Sequence, residues 1–151
     1  MADQTKSSIV INASPAAIMA VIADLPAYPE WSDGISEVTV LSVFEDDNRP
    51  ADARFNLASG AIKYVYELEY DWDGDRRVSW TLTKGDMLTA MDGAYELTDN
   101  GDGSTTVDYQ LAVDIKIPMI GMIKRKAEKV IVDTALKGLK KRVESLPTPP
   151  A

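Results

Sequence analysis

The feature that most constrains this chain is its last stretch, Ile117 to Leu146, which reads as one long helix after a run of alternating strands holding no comparable helix. At ~1.5 Å per residue such a helix is roughly 45 Å long, whereas a globule of this length has a radius of gyration of about 15 Å. The helix must lie across the whole domain. Strands first and a helix last make an α+β arrangement. One long helix laid over one face of an antiparallel sheet is a way to enclose an apolar chamber, so the function is expected inside.

The strands are legible by phase. Ser8 to Ile11 reads as a short first strand, and Ser14-Pro15 then supplies an N-cap and a proline at the first helical position. Ile18, Val21, Ile22 and Leu25 follow at helical spacing, Pro26 ends that helix, and Ala27 to Trp31 has room for one more turn before Gly34. From Ile35 to Asp114 the period is two, broken by turn signals at Asp46-Asp47-Asn48, Ser59-Gly60, Asp73-Gly74, Lys84-Gly85-Asp86 and Asp99 to Gly103. Six strands fit between these marks, seven with the first. The inward set is Ala53, Phe55, Leu57; Tyr64, Tyr66, Leu68, Tyr70, Trp72; Val78, Trp80, Leu82; Met91, Gly93, Tyr95, Leu97; and Val107, Tyr109, Leu111, Val113. Arg54, Lys63, Glu67, Glu69, Asp71, Glu96, Asp108 and Asp114 alternate with it, as expected of a sheet with one solvated face.

The terminal helix opens with Pro118 and carries two apolar stripes. Ile120, Ile123, Ala127, Ile131, Thr134 and Gly138 form one, and Val132, Ala135, Leu136, Leu139, Val143 and Leu146 form a second, rotated stripe in the later half. A helical glycine costs ~1 kcal/mol against alanine. The small residues Ala127, Thr134 and Gly138 therefore either let the sheet approach closely or leave room for a ligand.

The 151 residues are expected to make one domain over 1–146 with a disordered tail over 147–151. A formal net charge of −8 excludes the usual phosphate-backbone binder, so no nucleic-acid partner is expected. Histidine and cysteine are both absent, which removes disulfides, thiolate chemistry and the common zinc and copper ligands. Asp71 to Asp75 has the look of a calcium loop, but its glycine is at the fourth position and Leu82 stands where the closing glutamate belongs, so it reads as a hairpin turn. No metal and no cofactor are expected. No apolar run approaches the ~18 residues of a membrane span, and the start of the chain is polar, so a cytoplasmic protein is expected.

Two local signatures carry a family resemblance. They are Ala13-Ser14-Pro15-Ala16 leading into Ile22-Ala23-Asp24-Leu25-Pro26-Ala27-Tyr28-Pro29-Glu30-Trp31, and Pro118-Met119-Ile120-Gly121-Met122 with Lys124-Arg125-Lys126-Ala127-Glu128. With the strand order, these resemble the START-like superfamily of polyketide cyclases/dehydrases and lipid-transport proteins, in the small single-domain form common in actinobacteria. The resemblance covers essentially the whole chain and implies a helix-grip fold of the START/Bet v 1 kind. That fold has a curved seven-stranded antiparallel sheet wrapped round the C-terminal helix, with two short helices between strands 1 and 2. It also implies a cavity for apolar molecules, with some relatives acting as aromatase/cyclases and others only carrying a ligand.

Within that frame the expected ligand-binding residues are Trp31, Phe55, Tyr64, Tyr66, Trp80, Met91, Tyr95, Tyr109, Ile120, Ile123, Ala127 and Ile131. The inward polar inventory is chiefly tyrosine, able to orient a ligand oxygen but a poor base at neutral pH, with a reference pKa of about 10. The phase puts almost every strand carboxylate outside, so no catalytic residue is assigned. Trp31 either closes a mouth of the chamber or anchors its segment to the sheet. Lys124-Arg125-Lys126, beside Met119, Met122 and Ile123, either solubilises the helix or makes a transient contact with an anionic membrane. Binding an apolar or amphipathic molecule (a lipid, polyketide, isoprenoid or quinone) without transforming it is the leading expectation. A cyclase or dehydratase that folds its substrate and hydrogen-bonds it through tyrosines is the alternative. A third is a protein-interaction module using the basic helix face. The oligomeric state is open.

Overall fold

The period-two pattern becomes one antiparallel sheet: β1 (Thr5–Ile11), β2 (Ile35–Val43), β3 (Pro50–Ser59), β4 (Ile62–Asp73), β5 (Arg77–Gly85), β6 (Leu88–Asp99) and β7 (Thr105–Ile115). The structure, a computed structural model, describes residues 5–32, 34–59, 62–116 and 121–146; the side chains of residues 59, 62, 121–124 and 127 also fall outside it. The expected tail over 147–151, the Pro118 helix start and Ile120 therefore lie outside the described residues, as do the side chains of Met122, Ile123, Lys124 and Ala127.

From β2 to β7 each strand pairs with the next, and β1 joins the free edge of β7, giving the order β1-β7-β6-β5-β4-β3-β2. β1 and β2 thus occupy opposite edges. The chain travels between them through α1 (Pro15–Ala23) and a 3₁₀ segment, Leu25–Glu30. Ser14 caps α1 as expected, its hydroxyl accepting from Ala17 N–H at 3.2 Å, with Pro15 in the first turn. Register shifts in the β2–β3, β4–β5 and β6–β7 ladders mark bulges that bend the strands and deepen the concave face. The phase holds along every strand: Ala53, Val78 and Val107 are fully buried, Phe55, Leu68, Leu97 and Leu111 nearly so, and Arg54, Glu69, Asp71 and Asp108 are exposed.

The long helix α2, Gly121–Ser145, lies on β1, β7 and α1. It seats the second apolar stripe: Val132 and Leu139 are fully buried, Leu136 and Val143 almost so. The first stripe turns elsewhere, since Ile131 is 46% exposed and Thr134 exposed. Because α2 rests on one side of the sheet, the concave face of β3 to β5 is left without a helix pressed on it. Space remains between them.

Candidate functional site: the chamber between sheet and helix

That space is a chamber of about 550 Å³, within the range of small-molecule pockets. All six tyrosines of the chain and two of its three tryptophans line it. Cross-strand register explains the gathering, because residues paired on one face of an antiparallel sheet bring their side chains together. Tyr95 on β6 pairs with Tyr109 on β7, their rings edge-to-face at 4.5 Å. Tyr70 pairs with Trp80, and Trp80 with Gly93. A Cβ at Gly93 would stand 2.5 Å from the Trp80 indole, so the missing side chain is what lets that ring lie across β6 against both Tyr95 and Tyr109. Phe55 stacks on Tyr66 at 5.3 Å, and Tyr28 joins Phe55 to Trp31.

Of the expected ligand-binding residues, Trp31, Phe55, Tyr64, Tyr66, Trp80, Met91, Tyr95, Tyr109 and Ile131 lie around this one chamber. Ile120 and the side chains of Ile123 and Ala127 are outside the described residues. Ile131 stands at the mouth, beside Val130, which is 60% exposed. Trp31 packs against α2: a Cβ on Gly138 would lie 3.3 Å from the Trp31 carbonyl oxygen and 3.6 Å from its ring. Here the small residue on the helix serves close approach, but the neighbour is Trp31 and not a strand.

The expectation that no carboxylate faces the chamber is corrected by Glu128. It lies on α2, is only 2% exposed and borders the cavity. Thr5 Oγ1 donates to its Oε1 at 2.8 Å and Val113 N–H donates to its Oε2 at 2.7 Å. Val113 sits two residues past the Thr5–Leu111 pair, so the carboxylate takes the backbone donor there. Sequence reasoning missed it because the search for an inward carboxylate was confined to the strands, where the phase puts almost every one outside. The signal was present: Glu128 continues the buried line Val143, Leu139, Leu136, Val132 by four residues.

The tyrosine hydroxyls differ from one another. Tyr28 O–H donates to the Ile22 carbonyl at 2.6 Å. No hydrogen bond joins the hydroxyls of Tyr66, Tyr70, Tyr95 or Tyr109 to any described residue, though all four side chains are buried. Burial pushes the phenols of Tyr28, Tyr66, Tyr70, Tyr95 and Tyr109 above their usual value, and for Tyr28, Tyr70, Tyr95 and Tyr109 the neighbouring tyrosines add to the rise. They are neutral donors at physiological pH. The indole Nε1 of Trp31 is likewise buried with no partner among the described residues. Among the described residues no cluster of acidic side chains is arranged to hold a metal ion, and no helix is long and apolar enough to cross a membrane.

A curved sheet gripping a long helix over an aromatic chamber defines the START-like class. The chain belongs to the polyketide cyclase/dehydrase and lipid transport family, whose model matches residues 3–144. A START superfamily protein from Mycobacterium smegmatis has a similar structure (TM-score 0.88, 23% identity, covering 96% of this chain and 99% of that one). So has a protein from Thermus thermophilus (0.76, 21%, 94% and 97%). The Zhui aromatase/cyclase from a Streptomyces species shares the fold at 11% identity (0.76, covering 93% of each chain). A search of curated proteins gave no match.

Proposed function

We propose that this protein binds an apolar or amphipathic small molecule, of the lipid, polyketide, isoprenoid or quinone kind, in the chamber between sheet and α2 and holds it without transforming it, in the cytoplasm. The observation that carries this reading is the chamber's size and wall together. Ten heavy atoms occupy no more than ten water volumes, ~300 Å³ at ~30 Å³ each, and the cavity of about 550 Å³ exceeds that. Its wall is aromatic and aliphatic with a few hydroxyls, the usual make-up of a small-molecule site. Exposed Val130, one turn from exposed Lys126, supports loading from an anionic membrane surface. Organic extraction of protein purified from its host, followed by mass spectrometry, tests the reading. A stoichiometric apolar species is expected; an empty protein that also fails to take up an apolar fluorescent probe refutes it.

Glu128 favours a second reading, a cyclase or dehydratase, since it puts a carboxylate beside the tyrosines. That reading requires Tyr66→Phe or Tyr109→Phe to depress turnover of a poly-β-ketone substrate while the fold stays intact. Unchanged rates in both variants refute it.

A further inference from the structure

Donors and acceptors in the chamber are out of balance. Tyr66, Tyr70, Tyr95 and Tyr109 present four hydroxyls, and Trp31 adds an N–H, none with a partner among the described residues. The acidic group of the wall, Glu128, already receives Thr5 and Val113. The tyrosines do not satisfy one another either. Tyr95 and Tyr109 have rings 4.5 Å apart, yet no hydrogen bond joins their hydroxyls. Both hydroxyls are therefore left as donors to an acceptor that enters the chamber, at the usual ~2.8 Å of such a bond. Burial raises these phenols above their usual value, so the hydroxyls are present as donors at neutral pH.

We propose that the four tyrosines are the recognising end of the site, and that they select a flat ring bearing an oxygen acceptor, a ketone-type carbonyl or a phenol oxygen, over a saturated acyl chain. This rests on the reading of the chamber as a binding site. A ring-borne oxygen accepts from two hydroxyls at once and lies flush with aromatic walls, where Phe55 already stacks on Tyr66 and Trp80 lies against Gly93. An acyl chain brings a charged carboxylate that must be stripped of water in an apolar chamber, stacks on none of the rings, and loses far more rotamer freedom on binding.

The test compares naphthalene, 2-naphthol, 2-acetylnaphthalene and laurate on the full chain, read by quenching of tryptophan fluorescence. Variants are Tyr95→Phe, Tyr109→Phe and the double, each first checked for folding by circular dichroism. The two oxygenated rings are expected to bind about tenfold more tightly than naphthalene, as two neutral hydrogen bonds allow. That advantage falls to about twofold or less in the double variant while naphthalene binds as before. An advantage confined to 2-acetylnaphthalene assigns the carbonyl, and one confined to 2-naphthol assigns the phenol; both support the proposal. Equal affinities in the unsubstituted protein, a preference for laurate, or an advantage that survives loss of both hydroxyls overturns it and leaves the binding reading standing. Failure of every probe to bind overturns both. Should the double variant not fold, the single variants and the ranking on the unsubstituted protein decide.

Discussion

Glu128 is the polar tether between α2 and the sheet edge, and its removal has a calculable consequence. In Glu128→Leu, Thr5 O–H and Val113 N–H lose their acceptor inside the protein. A buried donor left unsatisfied costs ~1–3 kcal/mol, in full for Val113 N–H and in part for the half-buried Thr5 hydroxyl, so the two together cost ~2–4 kcal/mol, offset in part by the apolar side chain. Glu128→Gln is milder. Its amide oxygen still accepts from Val113, and Thr5, a hydroxyl, turns round to accept from the amide nitrogen. The loss is then the charge assistance of two bonds, ~1–3 kcal/mol. For a domain of this size each kcal/mol moves the melting temperature by about 3 °C. Urea unfolding of these two variants, Thr5→Val, and Thr5→Val combined with Glu128→Leu gives the decisive cycle. Thr5→Val is expected to destabilise the parent, and to be neutral or stabilising beside Glu128→Leu, where its hydroxyl has no acceptor. Equal cost in both backgrounds refutes the tether.

Gly93→Ala forces the Trp80 ring off β6 into the chamber, since the new Cβ would lie 2.5 Å from it. The expected loss is ~1–3 kcal/mol by thermal melt, with partial recovery when Trp80→Phe is added. Gly138→Leu pushes against the Trp31 backbone and ring and is expected to blue- or red-shift tryptophan emission as well as lower stability by ~1–3 kcal/mol; an unchanged spectrum counts against that packing. Tyr28→Phe removes the bond to the Ile22 carbonyl and leaves that acceptor in the last turn of α1 without the tyrosine donor, for a loss of ~1 kcal/mol in chemical denaturation. Raised phenol values in the folded state mean stability that is complete below the unfolded value of 10.0 and is lost as pH climbs from there toward the folded values. Phenolate absorbance of these tyrosines should therefore appear only together with alkaline unfolding; titration in the folded protein would contradict their burial.

The chamber wall was largely legible because strand side chains alternate strictly. Once Tyr95 and Tyr109 fall in the inward phase, their meeting follows from neighbouring strands. Residues on α2 were harder. Both stripes of the helix are apolar, and which one seats is decided by where the helix rests, so Ile131 turned out half-exposed at the mouth while Val132 is fully buried. Glu128 was hidden for a related reason. A charge reads as solvent-facing unless a partner is known, and its partners are 123 residues earlier, on β1, and a backbone N–H on β7.

Local chemistry alone thus determined the elements and their faces: the proline-started α1 capped by Ser14, the turns, the two-residue period of the strands, and the single long helix that requires a sheet to lie on. Those properties depend on neighbours within a few residues, which is the range over which a sequence speaks directly. Only the tertiary structure decided that α2 lies to one side, leaving about 550 Å³ over the tyrosines, that Gly93 makes room for Trp80, and that a buried carboxylate holds the helix in place. These are consequences of closure, in which side chains distant along the chain compete for one volume, and the outcome depends on their summed shapes rather than on any local pattern.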